Sequence, residues 1–113
     1  MGTFGQSGLT TFDPTYALPY GLIDLDLSDN SLTVFNPTPN IPSTLANTNL
    51  YNNLLTTNGV NTTLVYLDTL LIGPSGYISV DGPGNATPTS GPPDGTTAIT
   101  NLQSNGYSVY WNP

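Results

Sequence analysis

The sequence predicts an all-β protein, an antiparallel β-sandwich or a small barrel, with an extended N-terminal arm and one short helix. Three segments read as β-hairpins, and three hairpins in 113 residues suit this class. The length fits one folding unit, which we divide into an arm over residues 1–21 and a β-rich domain over residues 22–113. We identify no internal repeat.

The arm is predicted from its turn-forming and aromatic residues. Residues 1–21 are rich in glycine, contain two prolines and follow neither a strand nor a helix period. Large rings are costly to leave in water, so we expect the arm to become ordered on a partner; the alternative is a disordered tail. The candidate partner-binding residues are Phe4, Phe12, Tyr16 and Tyr20.

The first hairpin is predicted over residues 22–35, with its turn at Asp29-Asn30, two residues that tolerate a positive φ. This register separates an apolar face from a polar one, as a half-buried hairpin requires. The buried pairs are Leu27 with Leu32 and Leu25 with Val34, and the solvent-facing pairs are Ser28 with Ser31, Asp26 with Thr33 and Asp24 with Phe35.

The middle of the chain predicts one helix and a second hairpin. Residues 43–57 are the helix candidate, because Ser43 can cap them, leucines share a stripe and Asn58-Gly59 can end the helix. Residues 60–72 become apolar on both faces and predict a central strand. The loop at residues 73–76 then returns the chain into a strand over residues 77–80.

The last part of the chain predicts a loop and a third hairpin. Residues 81–95 are rich in proline and glycine and predict a long surface loop. Asn105-Gly106 is a favoured two-residue hairpin turn. It places Tyr107, Val109 and Trp111 on one apolar face, so we expect Trp111 in the core or at an interface.

The charge inventory limits the partners. The chain has no Lys, Arg or His, and its net charge is −7. Without a cation to neutralise phosphate we expect neither a nucleic acid nor an anionic membrane as partner. No apolar run is long enough to cross a membrane, and the N-terminus lacks the pattern of a secretory signal. A neutral surface with few charges favours large contacts with other proteins.

Catalysis is not expected. The sequence has no His, Cys, Lys, Arg or Glu, so a Ser or Thr nucleophile has no conventional base and an oxyanion has no cationic clamp. Only paired aspartates remain, and their spacing on a strand occurs by chance. We predict a non-enzyme with no catalytic residues and no cofactor.

A metal site is the second chemical hypothesis. Asp24, Asp26 and Ser28 have the spacing that begins a calcium loop, but the glycine and glutamate that such a loop needs are missing. We favour a solvated hairpin face and predict no metal; the alternative is a divalent ion held by Asp24, Asp26 or Asp29. In the second hairpin Asp68 would face Asp81, so either the strands diverge or a cation lies there.

In general character the chain resembles the small accessory proteins that decorate or cement the capsids of tailed phages. The resemblance lies in the short length, the β-rich prediction, the aromatic N-terminal arm and the Thr/Asn/Gly-rich surface. It implies a virion protein on the outer capsid surface, often trimeric, that binds and stabilises neighbouring major capsid subunits. The alternatives are a subunit of an extracellular filament or surface layer, and a carbohydrate-binding module that uses exposed Tyr and Trp rings.

Overall fold

The protein has a parallel β-sheet with helices on one side of it. The computed structural model describes residues 2–3, 21–35, 42, 44–70 and 75–113. The strands are β1 (Gly2–Thr3), β2 (Asp24–Asp26), β3 (Asn47–Asn49), β4 (Tyr77–Ser79) and β5 (Ser108–Tyr110), and the helices are α1 (Thr57–Leu70) and α2 (Gly95–Ser104). The strands follow chain order, and all neighbours are parallel. Neither helix is long and apolar enough to span a membrane.

The prediction of an all-β antiparallel sandwich or barrel is therefore wrong, and the protein is an α/β protein. None of the three predicted hairpins forms. Asp29 does adopt a positive φ of 56°, but the chain then leaves the sheet instead of returning beside β2. The segment over residues 60–72 begins within α1, and Asn105-Gly106 ends α2. One strand of each predicted hairpin is present, but as a parallel strand: β2 from the first, β4 from the second and β5 from the third.

Helix α1 shows why the strand prediction for residues 60–72 failed. Val60, Leu64 and Leu67 are fully buried, at a spacing that places them on one helical face. The β-branched residues in its first half have weak helix propensity, but the core outweighs that preference. Thr63 also contributes a local bond, since its hydroxyl donates to the carbonyl of Gly59 at 2.7 Å.

Helix α2 has defined caps at both ends. Asp94 caps its N-terminus by accepting a hydrogen bond of 2.9 Å from the Thr97 amide, which holds the pKa of the Asp94 carboxyl below its usual range. At the other end Gly106 has a φ of 93°, and the Tyr107 amide donates to the Leu102 carbonyl at 3.0 Å. Asn105-Gly106 thus forms a Schellman helix terminus, a structure that favours the same residue types as a hairpin turn.

The helix predicted over residues 43–57 is also wrong, because its described part holds β3 and the turn that follows. Leu45, Leu50 and Leu55 are buried, but they belong to a strand and its flanking turns. The regular spacing of these leucines comes from a repeat in the sequence. Residues 22–32 read LIDLDLSDNSL, and residues 45–55 read LANTNLYNNLL.

These two segments are similar to the L-x-x-L-x-L-x-x-N-x-L pattern of leucine-rich repeats, with Thr48 replacing one leucine. A third copy keeps Ile78 and Val80 but has two extra residues before Asn85. Successive strands lie roughly 23 to 31 residues apart, within the usual range for solenoid repeats. The chain thus winds as a short solenoid, and the absence of a repeat is a wrong prediction.

The turns after β2, β3 and β4 are built in a similar way. Asp29 and Asn52 have φ values of 56° and 57°, and Gly82 has a φ of 104°. These residue types tolerate the left-handed conformation better than others. The Asn52 side chain also donates a hydrogen bond of 2.9 Å to the Asp29 carboxylate, which joins two neighbouring coils.

Buried asparagines connect the coils beneath these turns. The Asn53 amide nitrogen donates to the carbonyls of Leu27 and Leu50, and its oxygen accepts from the Leu32 amide at 3.0 Å. Asn85 repeats this arrangement one coil later, accepting from the Leu55 amide at 3.1 Å and donating to Leu50 at 2.9 Å. Backbone groups that leave the sheet at each turn are satisfied in this way.

One buried position in the repeat is occupied by a polar residue. Thr48 is fully buried between Leu25 and Ile78 in neighbouring strands, and its hydroxyl has no hydrogen-bond partner in the described part of the chain. Leucine stands at the matching position of the preceding coil. A buried hydroxyl without a partner destabilises the folded state.

We expect Thr48→Val to raise the free energy of unfolding by about 1 kcal/mol, because valine keeps the shape and removes the unsatisfied hydroxyl. Thr57→Val is the control; Thr57 is exposed, and its replacement should change stability by less than about 0.5 kcal/mol. Urea unfolding of the three proteins measures both effects. A Thr48→Val variant less stable than the parent would show that the hydroxyl is bonded.

Candidate binding face

The outward face of the sheet is the candidate functional site. Side chains alternate along each strand, and the inward ones are buried against the helices. The backbone ladder continues past the strands, with bonds of 3.0 Å from Asp29 to Tyr51 and from Asn52 to Asp81. The outward side chains are Asp24, Asp26, Ser28, Asn47, Asn49, Tyr51, Tyr77, Ser79, Asp81, Ser108 and Tyr110.

This face contains aspartate, asparagine, serine and tyrosine, and no aliphatic side chain among those residues. Three carboxylates and three phenols lie on a surface about 14 Å wide, given four strands at a spacing of about 4.8 Å. We refer to the outward residues of β2 to β5 and their extensions as the sheet face. Its composition differs sharply from that of the opposite, buried side.

Asn47 connects the acidic and aromatic parts of the sheet face. Its amide nitrogen donates to the Asp24 carboxylate, and its oxygen accepts from the Tyr77 amide at 3.0 Å. Burial raises the pKa of the Tyr77 phenol, and the carboxylates of Asp26 and Asp24 raise it further. Tyr77 stands at the level of Asp24, two strands away, with Asn47 between them.

Each carboxylate of the sheet face accepts a hydrogen bond from a nearby side chain, which for Asp24 is Asn47 on the neighbouring strand. One oxygen of Asp26 accepts from the Ser28 amide at 2.9 Å and from the Ser28 hydroxyl at 2.6 Å. Asp81 accepts similarly from the Ser79 hydroxyl. In Asp24, Asp26 and Asp81 these bonds use Oδ1, and within the described residues no donor reaches Oδ2.

The tyrosines present their rings to solvent. Tyr51 and Tyr110 are 43 % and 53 % exposed, respectively. Tyr51 lies against Gly82, where an added Cβ would approach the ring carbon Cδ2 to 3.1 Å. Glycine at this turn thus leaves room for the ring. Trp111, which follows Tyr110 at the end of β5, is 38 % exposed.

The structure separates the metal-ligand candidates of the sequence. Asp24 and Asp26 lie together on β2, and Asp29 lies on the following turn. Asp68 lies on α1 and accepts a hydrogen bond of 3.0 Å from the Asn101 side chain, whereas Asp81 follows β4. The predicted facing of Asp68 and Asp81 is wrong. Within the residues described, no group of three acidic side chains could hold a metal ion.

The remaining sequence candidates stand as follows. Phe4, Phe12, Tyr16 and Tyr20 lie outside the described residues, so their role as partner-binding residues stays a prediction. Two segments, Asn61-Thr62-Thr63 and Asn85-Ala86-Thr87, also match the glycosylation sequon, and both asparagines are buried. Both amide nitrogens donate hydrogen bonds inside the protein, so a glycan has no access to either in the folded chain.

The sequence interpretation missed the tyrosines of the sheet face. Tyr51 falls in the wrongly predicted helix, Tyr77 in an antiparallel hairpin, and Tyr110 in the third hairpin. The repeated leucine pattern in residues 22–32 and 45–55 would have aligned β2 with β3 and marked the residues between the leucines as outward.

The comparisons with known proteins give no assignment. No protein-family model, no curated protein and no solved structure matches the chain.

Proposed function

We propose that the chain is a non-enzymatic interaction protein that binds another protein through the sheet face. The carrying observation is the composition of that face, which joins three tyrosines to serine, asparagine and aspartate side chains. Tyrosine provides a large contact area for little conformational entropy, and small polar residues provide adaptable hydrogen bonds, a combination found in antibody binding sites.

The solenoid architecture supports the proposal. Strands β2 to β5 contribute outward residues at the same level, so most of the face is built on hydrogen-bonded strands. Extended sheet surfaces of this kind are the binding surfaces of repeat proteins. A preorganised surface loses little entropy on binding.

The chemistry of the chain favours binding over catalysis. Its ionisable side chains are aspartate and tyrosine alone, and tyrosine ordinarily titrates near pH ~10. The sheet face is open and shows no arrangement of nucleophile and base among its described residues. Its carboxylates accept bonds from serine and asparagine, which orient them as fixed acceptors.

Decoration of a phage capsid, with a shell protein as partner and trimeric assembly, stays a narrower prediction. One of its grounds, the β-rich prediction, is wrong, because the protein has an α/β fold. The low charge and the polar, aromatic surface suit a shell partner equally well under the parallel fold. The alternatives, an extracellular filament subunit and a carbohydrate-binding module, also stay predictions, and the same surface suits them.

Selection of binders tests the proposal. Peptides are first selected from a random displayed library for binding to the folded chain. We expect their affinity for the double variant Tyr51→Ala/Tyr110→Ala to be lower by at least about tenfold, because rings at the centre of an interface contribute much of the binding energy. Tyr66→Ala on α1 is the control, since it removes a ring from the helical side. Fluorescence anisotropy measures the affinities, and circular dichroism checks folding.

Two outcomes decide between the surfaces. Peptides that retain their affinity for the double tyrosine variant but lose it with Tyr66→Ala would place the binding surface on the helices and contradict the proposal. Peptides affected only by the sheet-face variant would support it.

A further inference from the structure

The sheet face is negatively charged and has no positive charge to balance it. Asp24, Asp26 and Asp81 all lie on it, and the chain contains no Lys, Arg or His. On the helical side both oxygens of Asp94 accept hydrogen bonds at the start of α2. Asp68, like Asp24, accepts through one oxygen from an asparagine side chain.

The aromatic rings beside the carboxylates narrow the ligand chemistry further. Asn47 on β3 is paired with Asp24 on β2 and accepts a hydrogen bond from the Tyr77 amide on β4, so Tyr77 stands at the level of Asp24. Tyr110 is the outward residue next to Ser79 in the register of β4 and β5. A guanidinium or ammonium group is attracted both to a carboxylate oxygen and to the face of an aromatic ring. A metal ion or a neutral sugar would use only one of these features.

The dimensions of the sheet face suit a short extended segment of a partner protein. Four strands at a spacing of about 4.8 Å span about 14 Å, and an extended chain covers about 3.3 Å per residue. Four or five residues of an extended segment would therefore cross the sheet from β2 to β5. Arginine is the better match than lysine, because its planar group can bond a carboxylate with two donors and stack on a ring.

We propose that the partner presents an extended, arginine-containing protein segment, which lies across the strands with its guanidinium groups at Asp24 and Asp26 and beside Tyr77. This inference rests on the proposed function, since it names the partner chemistry for the same sheet face. Charge complementarity favours this occupant. The Oδ2 atoms of the two aspartates receive no donor from the described residues and are the acceptors for the segment.

A labelled peptide of alternating arginine and serine is the probe, with a glutamate–serine peptide for comparison. We expect the arginine peptide to bind the full chain at about 0.05 M NaCl and more weakly at about 0.5 M, since salt screens exposed charges. The double variant Asp24→Asn/Asp26→Asn should weaken binding by about tenfold. Asparagine keeps the side-chain shape and can still accept the local hydrogen bonds, so the fold is retained.

The control is Asp68→Asn/Asp94→Asn, which removes the same charge from the helical side and keeps a good N-cap residue on α2. It should weaken binding by less than about threefold. Equal loss in both double variants would show attraction by net charge alone and overturn the inference, as would equal binding of the two peptides. Library-selected peptides that bind the sheet face but contain no basic residue would overturn the inference and leave the proposed function standing; peptides that bind the helices would overturn both.

Discussion

Asn53→Ala is expected to destabilise the protein by about 3 kcal/mol. The substitution removes three buried hydrogen bonds at once and leaves the Leu32 amide without its acceptor. A buried donor without a partner costs about 1–3 kcal/mol, and each lost bond adds about 1 kcal/mol. The carbonyls are less affected, because Leu50 still accepts from Asn85 and Leu27 still accepts from Asn30.

Thermal and urea unfolding, followed by circular dichroism, measure this effect. For a chain of this size a loss of about 3 kcal/mol lowers the melting temperature by about 10 °C or more. Asn101→Ala is the matched control, because Asn101 is exposed on α2 and bonds only Asp68 in the described structure. Similar losses in the two variants would contradict the role of Asn53 as the connection between coils.

Gly59→Ala is expected to destabilise the protein by about 1–3 kcal/mol, although alanine is the better helix former. An added Cβ on Gly59 would clash with the carbonyl oxygen of Thr33, which belongs to the preceding coil and is backbone. That oxygen cannot move freely, since it also accepts a hydrogen bond of 3.3 Å from the Thr56 amide. The substitution therefore forces the first turn of α1 away from the neighbouring coil.

Asn58→Ala tests whether the effect comes from contact or from helix propensity. Asn58 precedes Gly59 in α1 and is exposed, so its replacement should be neutral or slightly stabilising. Calorimetric melting of the two variants compares them directly. Should Gly59→Ala instead melt above the parent protein, the close approach of α1 to Thr33 would be disproved.

Part of the structure was predicted correctly from local preferences in the sequence. Leu25, Leu27 and Leu32 are buried, as the alternation predicts. Asp29 adopts the positive φ expected for a turn residue. These features depend on the period of apolar residues and on single-residue backbone preferences, which act over a few positions and can be read without knowing the fold.

Strand direction was decided by tertiary structure. A strand, a turn and a second apolar run are compatible with a hairpin, and Asn105-Gly106 is as suitable for a hairpin turn as for the end of α2. The difference lies in where the following apolar residues are buried. Leu102 and Tyr107 both enter the core when the turn ends a helix.

The sequence by itself determined the net charge, the lack of basic side chains and which leucines are buried in the segment over residues 22–32, because composition and short-range alternation suffice for these. Tertiary structure alone decided that Asp24, Tyr77 and Tyr110 share one surface. They come from different coils, and only the parallel pairing of β2 to β5 aligns them. The buried bonds of Asn53 and Asn85 help to hold the coils in place, and such bonds join residues that are far apart in the sequence.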